Sequence, residues 1–419
     1  MRIMIVTPYL YYENIVRFTK NKTGYGLLLN EISKYGSKFN DIYVLTRSIG
    51  HELKIEQYKI ISHTYKDILK SFNFKRLING IQKSLEIDDK IFNRLKHIYY
   101  SIDAKYLEKA IMTIRPDIVH FHTVGYSTEL GIEVCEKLNQ RYLLTLHGLV
   151  GFSDSTPNHL KMSEYKLIKK LCERKIPITV ISSGIKKRII EDYGLIDADK
   201  IKVIVNGTNT NLGDNEDTLD IHKEYQIPKD SKIILYVGTI SKNKNQTQFI
   251  KAFDLLNSRV KDNLYLLILG NIKDCPEIKK MIEEKELTKH IKLCGFVSKN
   301  KLTSYYKIAD YNALVSLDEG FGLSIIEAFV YGVPTITFND LDAVEDIYDE
   351  RAVYLVNKRT DEDLAKGIEN FVGIEWDTEF IRGYAKKFSL ERMAEEYNRL
   401  YIELLKGNSD AENKQFKQN

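Results

Sequence analysis

Cysteine is scarce. The chain has four in 419 residues (Cys135, Cys172, Cys275 and Cys294), and no two stand as a Cys-x-x-Cys pair. That scatter excludes a disulfide frame and a zinc ribbon, and predicts reduced thiols in a cytoplasmic protein. No apolar run is long enough to cross a bilayer. The opening Met1-Arg2-Ile3-Met4-Ile5-Val6-Thr7-Pro8 holds too short an apolar run for a secretion signal and reads as a first strand. No Gly-x-Gly-x-x-Gly follows that strand, which counts against a dinucleotide oxidoreductase. There is no short-period internal repeat, no nucleic-acid partner is expected, and the net charge is only +4.

What is present is an ordinary globular composition, 43% hydrophobic and 29% charged, in a chain too long for a single ordinary core. Two domains are therefore expected. The charge is unevenly shared. Residues 1–200 hold 32 basic and 22 acidic side chains, a balance of +10, and the remainder balances at −6. A basic N-terminal half suits an anionic partner such as a membrane surface or a lipid diphosphate; lysine-rich bias with solvated faces explains it equally well.

Two series of alternating strands and helices run along the chain. In the first, Ile3–Val6 leads through a long loop to Thr23-Gly24-Tyr25-Gly26, which opens a helix. Glycines between a strand and a helix are an ordinary place for a phosphate contact, and Gly24 is the candidate. Residues 50–115 show little strand signal. Leu77, Ile78, Ile81 and Leu85, then Ile91, Leu95 and Ile98, fall at helical spacing and predict an inserted pair of amphipathic helices. Ile118-Val119-His120-Phe121-His122 and Tyr142–Thr145, followed by Leu146-His147-Gly148, read as strands with histidines at their ends. Without acidic or cysteine companions, these histidines read as hydrogen-bonded side chains rather than metal ligands. The polar run Thr208–Asp220 is read as the connector.

The second series begins at Ile233–Val237 and continues through Gly238-Thr239-Ile240-Ser241-Lys242-Asn243-Lys244 into a helix. Lys244 stands at the helix start, where its ammonium adds to the amide dipoles. The densest stretch is Asp318-Glu319-Gly320-Phe321-Gly322-Leu323-Ser324-Ile325-Ile326-Glu327. It joins the apolar strand Tyr311–Val315 to a helix that Gly332-Val333-Pro334 ends. A glycine turn at a helix N-terminus lets backbone approach a ligand and favours an anion. Glu319 in the turn can face a bound sugar, and Glu327, early in the helix, can reach a ribose diol. Alone, two glutamates eight residues apart are most often solvated charges; strand, Glu-Gly-Phe-Gly, helix, second Glu, Gly-Val-Pro and strand Thr335–Phe338 form a far rarer sequence.

That block resembles the carboxylate signature of retaining GT-B glycosyltransferases of the family-four type, the glycosyl transferases group 1. The resemblance implies an α/β fold of two doubly wound Rossmann-like domains facing a cleft. Its N-terminal acceptor-side domain spans 1–207 with a helical insertion about 50–115, and a linker spans 208–230. A nucleotide-sugar-binding domain follows at 231–387, then a helix at 388–406 returning to the N-terminal domain, and a disordered tail at 407–419. It implies transfer of a sugar, with retention, from a nucleoside diphosphate carrier (uridine diphosphate by the same analogy) to a glycan, lipid-linked or protein acceptor in cell-surface polysaccharide or glycoconjugate synthesis. No cofactor or metal is implied. The cysteine scatter places the protein in the cytoplasm, and the basic N-terminal half leaves peripheral contact with anionic membrane open.

By the same resemblance, Glu319, His147 and Lys244 carry the catalytic roles. Gly24, Gly238, Lys244, Val297, Gly320, Phe321, Gly322, Leu323, Ser324 and Glu327 bind the nucleotide sugar, with Ile291–Val297 bordering the base. His147 orients hydroxyls, and Lys244 with the amides of Phe321–Ser324 holds the diphosphate. The family's usual arginine five residues before Lys244 is replaced by Thr239. Either Lys242 substitutes for it, or backbone amides hold more of the leaving group. Asp340 and Asp342 form an Asp-x-Asp pair but lie where the family has a glycine loop, and no metal role is assigned to them. Two other readings stay open: a glycosyltransferase-like subunit that stabilises a partner enzyme, which the missing arginine keeps open although Glu319, Lys244, His147 and Glu327 argue against it, and a sugar-nucleotide epimerase on the same architecture.

Overall fold

A computed structural model describes residues 1–8, 10, 24–46, 53–54, 57–62, 104–152, 158–195, 200–211, 219–271 and 275–415. The chain divides into two compact units. One is Met1–Ile181 with Ile185–Ile204 and Leu390–Asn419; the other is Ser182–Gly184 with Val205–Ser389.

The first unit is built on eight strands: β1 Arg2–Val6, β2 Asp41–Thr46, β3 Leu53–Lys54, β4 Lys59–Ser62, β5 Ile118–Phe121, β6 Tyr142–Leu146, β7 Ile178–Val180 and β8 Ile201–Val203. They lie in the order β3-β4-β2-β1-β5-β6-β7-β8. Every described pairing is parallel except β3 with β4. Each residue of β5 and β6 is buried, as expected of strands covered by helices on both faces. Tyr397 and Tyr401 of the last helix are buried against this unit, and the Asn40 amide donates to Asn398 Oδ1 at 3.1 Å.

The second unit carries β9 Lys232–Val237, β10 Leu264–Leu269, β11 Ile291–Gly295, β12 Tyr311–Leu314, β13 Thr335–Phe338 and β14 Val353–Val356. Their order is β11-β10-β9-β12-β13-β14, all parallel. This is the doubly wound order in which chain direction across the sheet reverses beside the first strand. In each unit the reversal marks one crevice at the strands' C-terminal ends: between β1 and β5 in the first, between β9 and β12 in the second. Phe249 and Phe253 of the helix Gln246–Asp254 are wholly buried with Phe329 and Phe371, each contributing roughly 1.5–3 kcal/mol of transfer free energy.

Several boundaries differ from the sequence reading. The strands β3 and β4 fall inside the stretch read as helical; Lys59-Ile60-Ile61-Ser62 is short and polar at its ends, so its strand signal is weak until β2 lies beside it. The helices expected around Leu77–Ile98 lie outside the described residues. Within 208–230, read as linker, a short helix Ile221–Tyr225 is capped by Asp220, whose side chain accepts from Lys223 N at 3.1 Å. Ile221 and Ile227 sink into the core of the second unit, so this part is folded domain rather than connector. The last helix runs Leu390–Gln415, past the end expected at 406 and into the stretch expected as a disordered tail, because Ala411, Glu412, Lys414 and Gln415 are good helix formers.

Candidate active site

In the second unit two loops meet at the crevice. After β9 the chain turns through Gly238–Asn245 into the helix Gln246–Asp254; after β12 it turns through Val315–Gly322 into the helix Leu323–Val330. Asn243 ties the loops: its side chain donates to Asp318 O at 2.9 Å and accepts from Asp318 N at 3.1 Å, while its carbonyl accepts from Leu317 N at 2.8 Å. Asn245 adds a bond from Nδ2 to Val315 O at 3.1 Å. The wholly buried Tyr236 stands beneath, its hydroxyl donating to Lys244 O and accepting from Val315 N at 3.1 Å.

This frame brings Lys244 and Glu319 into an ion pair through Glu319 Oε2, with side chains 26% and 16% exposed. Glu319 Oε1 accepts from Gly322 N at 3.1 Å, and Ser316 Oγ donates to Oε2 at 3.4 Å. One of the amides expected to face a diphosphate is therefore held by the glutamate of its own loop. Gly322 caps the helix with φ +77°, and a Cβ there would stand 2.8 Å from Leu314 Cδ2; this turn requires glycine. Gly320 and Leu323 are half-buried, whereas Phe321 is buried, its ring edge-on to Phe388. The Ser324 carbonyl oxygen lies 3.4 Å from the Tyr306 hydroxyl.

Glu327 follows on the half-buried side of this helix. The Tyr306 hydroxyl donates to Glu327 Oε2 at 3.2 Å. Burial pushes the carboxyl above the usual carboxylate range, with Lys299 and the Tyr306 hydrogen bond acting against it. Gly238 lies under the Lys244 stem, whose Cε would be 3.7 Å from a Cβ there. Val297 packs at the edge of the core after β11. Asp340 of the Asp-x-Asp pair makes a two-pronged pair with Arg359, at 2.8 and 2.6 Å, and Arg359 also donates to Ser316 O at 2.9 Å, bracing the Glu319 loop from behind.

In the first unit, Gly24 begins the helix Gly24–Gly36, and the next residue, Tyr25, donates its hydroxyl to His122 O and sets its ring edge-on to His147 at 4.9 Å. His147, at the end of β6, meets His122 through Nε2 to Nδ1 at 3.0 Å. Burial pushes the His147 imidazole down to about 3, so it is neutral at physiological pH. The turn that follows is gripped by Glu164, fully buried on the helix Asn158–Glu173. Its two oxygens accept from Val150 N at 3.0 Å and Gly151 N at 2.9 Å, and one also takes the Tyr193 hydroxyl at 2.7 Å.

Sequence reasoning missed Asn243, Ser316, Tyr306, Arg359, His122's contact with His147, and Glu164. Ser316 lies only three residues from Glu319, but its side chain belongs to no recognised motif; the others act on residues more than ten positions away.

The C-terminal unit matches the family described as Glycosyl transferases group 1 over residues 217–388, and the N-terminal unit matches Glycosyltransferase Family 4 over residues 40–212. Among characterised relatives, the alpha-monoglucosyldiacylglycerol synthase of Acholeplasma laidlawii is 24% identical over 334 residues, covering 74% of this chain and 81% of that one. A capsular polysaccharide biosynthesis glycosyltransferase of Staphylococcus aureus is 27% identical, covering 55% of this chain and 62% of that one. Among solved structures, a glycosyltransferase of Rickettsia africae superposes with a TM-score of 0.69 at 22% identity, covering 97% of this chain and 98% of that one. An Anabaena protein solved with UDP and glucose does so with 0.69 at 16%, covering 96% and 99%. The chain belongs to the group 1, family-four-type GT-B glycosyltransferases and is a hexosyltransferase-type enzyme. Among its described residues no helix is long and apolar enough to cross a membrane.

Proposed function

We propose that this enzyme moves a sugar, with retention of anomeric configuration, from a uridine diphosphate carrier to a glycan or lipid-linked acceptor in the synthesis of cell-surface polysaccharide or glycoconjugate. The observation that carries the reading is the crevice between β9 and β12, where one ammonium, one carboxylate and a glycine-capped helix start are held together by Asn243 and Tyr236. The chemical demand is a departing diphosphate that gains negative charge and a sugar that gains positive charge. Lys244 and the amides of Leu323 and Ser324 answer the first; Glu319 answers the second and grips sugar hydroxyls; Glu327 holds the ribose. His147 orients hydroxyls, and its lowered basicity suits hydrogen bonding rather than proton removal. In this reading neither glutamate acts as a nucleophile, and the departing phosphate oxygen takes the acceptor's proton on the same face. The chain needs no metal for this chemistry. Gly24, Gly238, Gly320, Phe321, Gly322 and Val297 supply backbone and edges to the donor.

The relatives that make glycolipid and capsular polysaccharide support the acceptor class, and the UDP-bound neighbour supports the carrier. A thermal-shift screen of nucleotide sugars against the isolated chain tests this reading. A uridine diphosphate sugar should raise the melting temperature, and free UDP should appear when acceptor is added. No shift with any nucleotide sugar and no turnover would overturn the reading; turnover without acceptor to an isomeric nucleotide sugar would make the protein an epimerase.

A further inference from the structure

Asp340, of the Asp-x-Asp pair, belongs to no group of three metal-binding side chains among the described residues. Its carboxylate is taken by Arg359: Oδ2 accepts from Nε at 2.8 Å and Oδ1 from Nη2 at 2.6 Å. The guanidinium lies over the Phe338 ring, 4.4 Å from its centroid, and its outer corner, Nη1, donates to Ser316 O at 2.9 Å. The Asp340 side chain is 54% exposed, so as an ion pair it contributes little to stability. Its geometry has another effect. Gripping one edge of the planar fork fixes the plane, and Nη1 is thereby aimed at Ser316.

Ser316 is wholly buried, three residues before Glu319, and its hydroxyl donates to Glu319 Oε2 at 3.4 Å. The same oxygen carries the Lys244 ammonium, while Oε1 takes Gly322 N at 3.1 Å. When a diphosphate takes Lys244, Ser316 Oγ is the donor that stays on Oε2 among the described residues. Arg359 is tied to this place by a second route. Its carbonyl accepts from Gln248 Nε2 at 2.7 Å, and Gln248 Oε1 accepts from Asn245 Nδ2 at 2.6 Å. That amide also reaches Val315 O at 3.1 Å. Side chain and backbone of one arginine thus hold Val315 and Ser316, from which the Glu319 turn departs.

We propose that Arg359, aimed by Asp340, is a positioning residue for Glu319. Through the Ser316 carbonyl it fixes the Ser316 hydroxyl, and so holds the Glu319 carboxylate on the sugar once the donor diphosphate has taken Lys244. In the free chain Lys244 and Ser316 share this duty, so loss of Arg359 is felt chiefly when the ammonium is withdrawn. The sugar half of this proposal rests on the function proposed above; the coupling of Arg359 to Lys244 does not.

The coupling is read without ligand from hydrogen exchange at the Gly322 amide, which Glu319 Oε1 protects. Four full-length chains are compared: native, Arg359→Met, Lys244→Met and the double variant. Each single change should raise the exchange rate by less than about three-fold, and the double change should exceed the product of the two by about ten-fold, as groups acting on one carboxylate do. An Arg359→Met effect that is the same with and without Lys244 overturns the proposal. The second arm uses the nucleotide sugar that the native protein turns over. Arg359→Met should lose about a hundred-fold in kcat and keep at least the native affinity for UDP, which has no sugar to grip. Arg359→Lys should fall within about three-fold of that loss, since one ammonium cannot serve three acceptors set in a plane. Ser316→Ala should add nothing to Arg359→Met. Native kcat in Arg359→Met, or equal losses of turnover and UDP affinity, would also overturn the proposal. A native chain that neither turns over nor binds UDP would remove the proposed function and leave the exchange measurement to decide the coupling.

Discussion

Lys244 and Glu319, 75 residues apart in sequence, form an ion pair at the mouth of the second crevice. Both were read from the sequence as donor-site residues with separate duties, one for phosphate and one for sugar. In the structure each occupies the other. A diphosphate that takes Lys244 must displace Glu319, and the freed carboxylate then becomes available to sugar hydroxyls. Removing the glutamate's charge should therefore help a ligand that has phosphates and no sugar. Glu319→Gln is expected to bind UDP about two- to five-fold more tightly than the native chain, the equivalent of a part-exposed ion pair of roughly 0.5–1 kcal/mol, while transfer is abolished. Calorimetric titration with UDP checks this; weaker UDP binding in Glu319→Gln would mean that the carboxylate does not compete for the ammonium.

Glu327 is the other acid of the signature, and Tyr306 holds it from the adjacent helix Lys299–Ile308. Glu327→Ala should weaken UDP binding by about ten-fold or more, as expected when a charged hydrogen-bond partner of a diol is lost. Tyr306→Phe leaves the carboxylate in place without its donor and should cost less. Titration of both variants decides it; unchanged affinity in Glu327→Ala would remove its ribose role.

How much of this was legible beforehand follows from where each contact lies in the chain. The strands β9, β10 and β12 were readable because sheets covered on both faces make continuous apolar runs, as in Leu264–Leu269. The turn Glu319–Ser324 was readable because its glycines, strand and helix are all local. The pairing of Lys244 with Glu319 was not, since it depends on β12 lying against β9, with Tyr311 opposite Ile234. The same holds for His122 and His147, which meet because β5 pairs with β6. Strand order is a global property, and single-residue patterns do not carry it.

Gly270 shows the cost of that close packing. It has φ +152°, and a Cβ there would stand 1.9 Å from the Gly238 carbonyl oxygen, which is backbone and cannot swing aside. Gly270→Ala should lose about 2–4 kcal/mol of stability, combining backbone strain with displacement of the Lys244 turn. Gly383 in the helix Thr378–Ala385 meets nothing within 4 Å, and Gly383→Ala should be neutral or stabilising by up to about 1 kcal/mol. Urea denaturation of the pair tests the contrast; equal midpoints would show that the two loops are not in the packing described.

If the excess of ten positive charges in residues 1–200 seats the protein on membranes, the attachment is electrostatic. The chain should sediment with vesicles containing phosphatidylglycerol at low salt and be released at about 0.5 M salt, where the screening length falls to a few ångströms. Failure to sediment at low salt would assign the charge to solvated faces and point to a soluble acceptor.

The imidazoles also set an acid limit on the first unit. Burial pulls His120 and His147 down to about 3, and His122 is lowered in the same direction. An unfolded histidine titrates near 6.5, so below that pH the unfolded chain takes up protons that the folded unit refuses. The stability these groups contribute is whole above about 6.5 and is lost as pH falls toward 3, at about 1.4 kcal/mol per pH unit for each. Glu327 and Asp346, raised by burial, act with the opposite sign, favouring the fold as they take up protons. Between pH 7 and 5.5 the histidines dominate, and a loss of about 2–4 kcal/mol is expected. His120→Asn should make that fall shallower, because one buried proton acceptor is gone. Thermal denaturation across this range measures it, and a flat profile in the native protein would mean that the three rings are hydrated rather than enclosed between β5, β6 and the last helix.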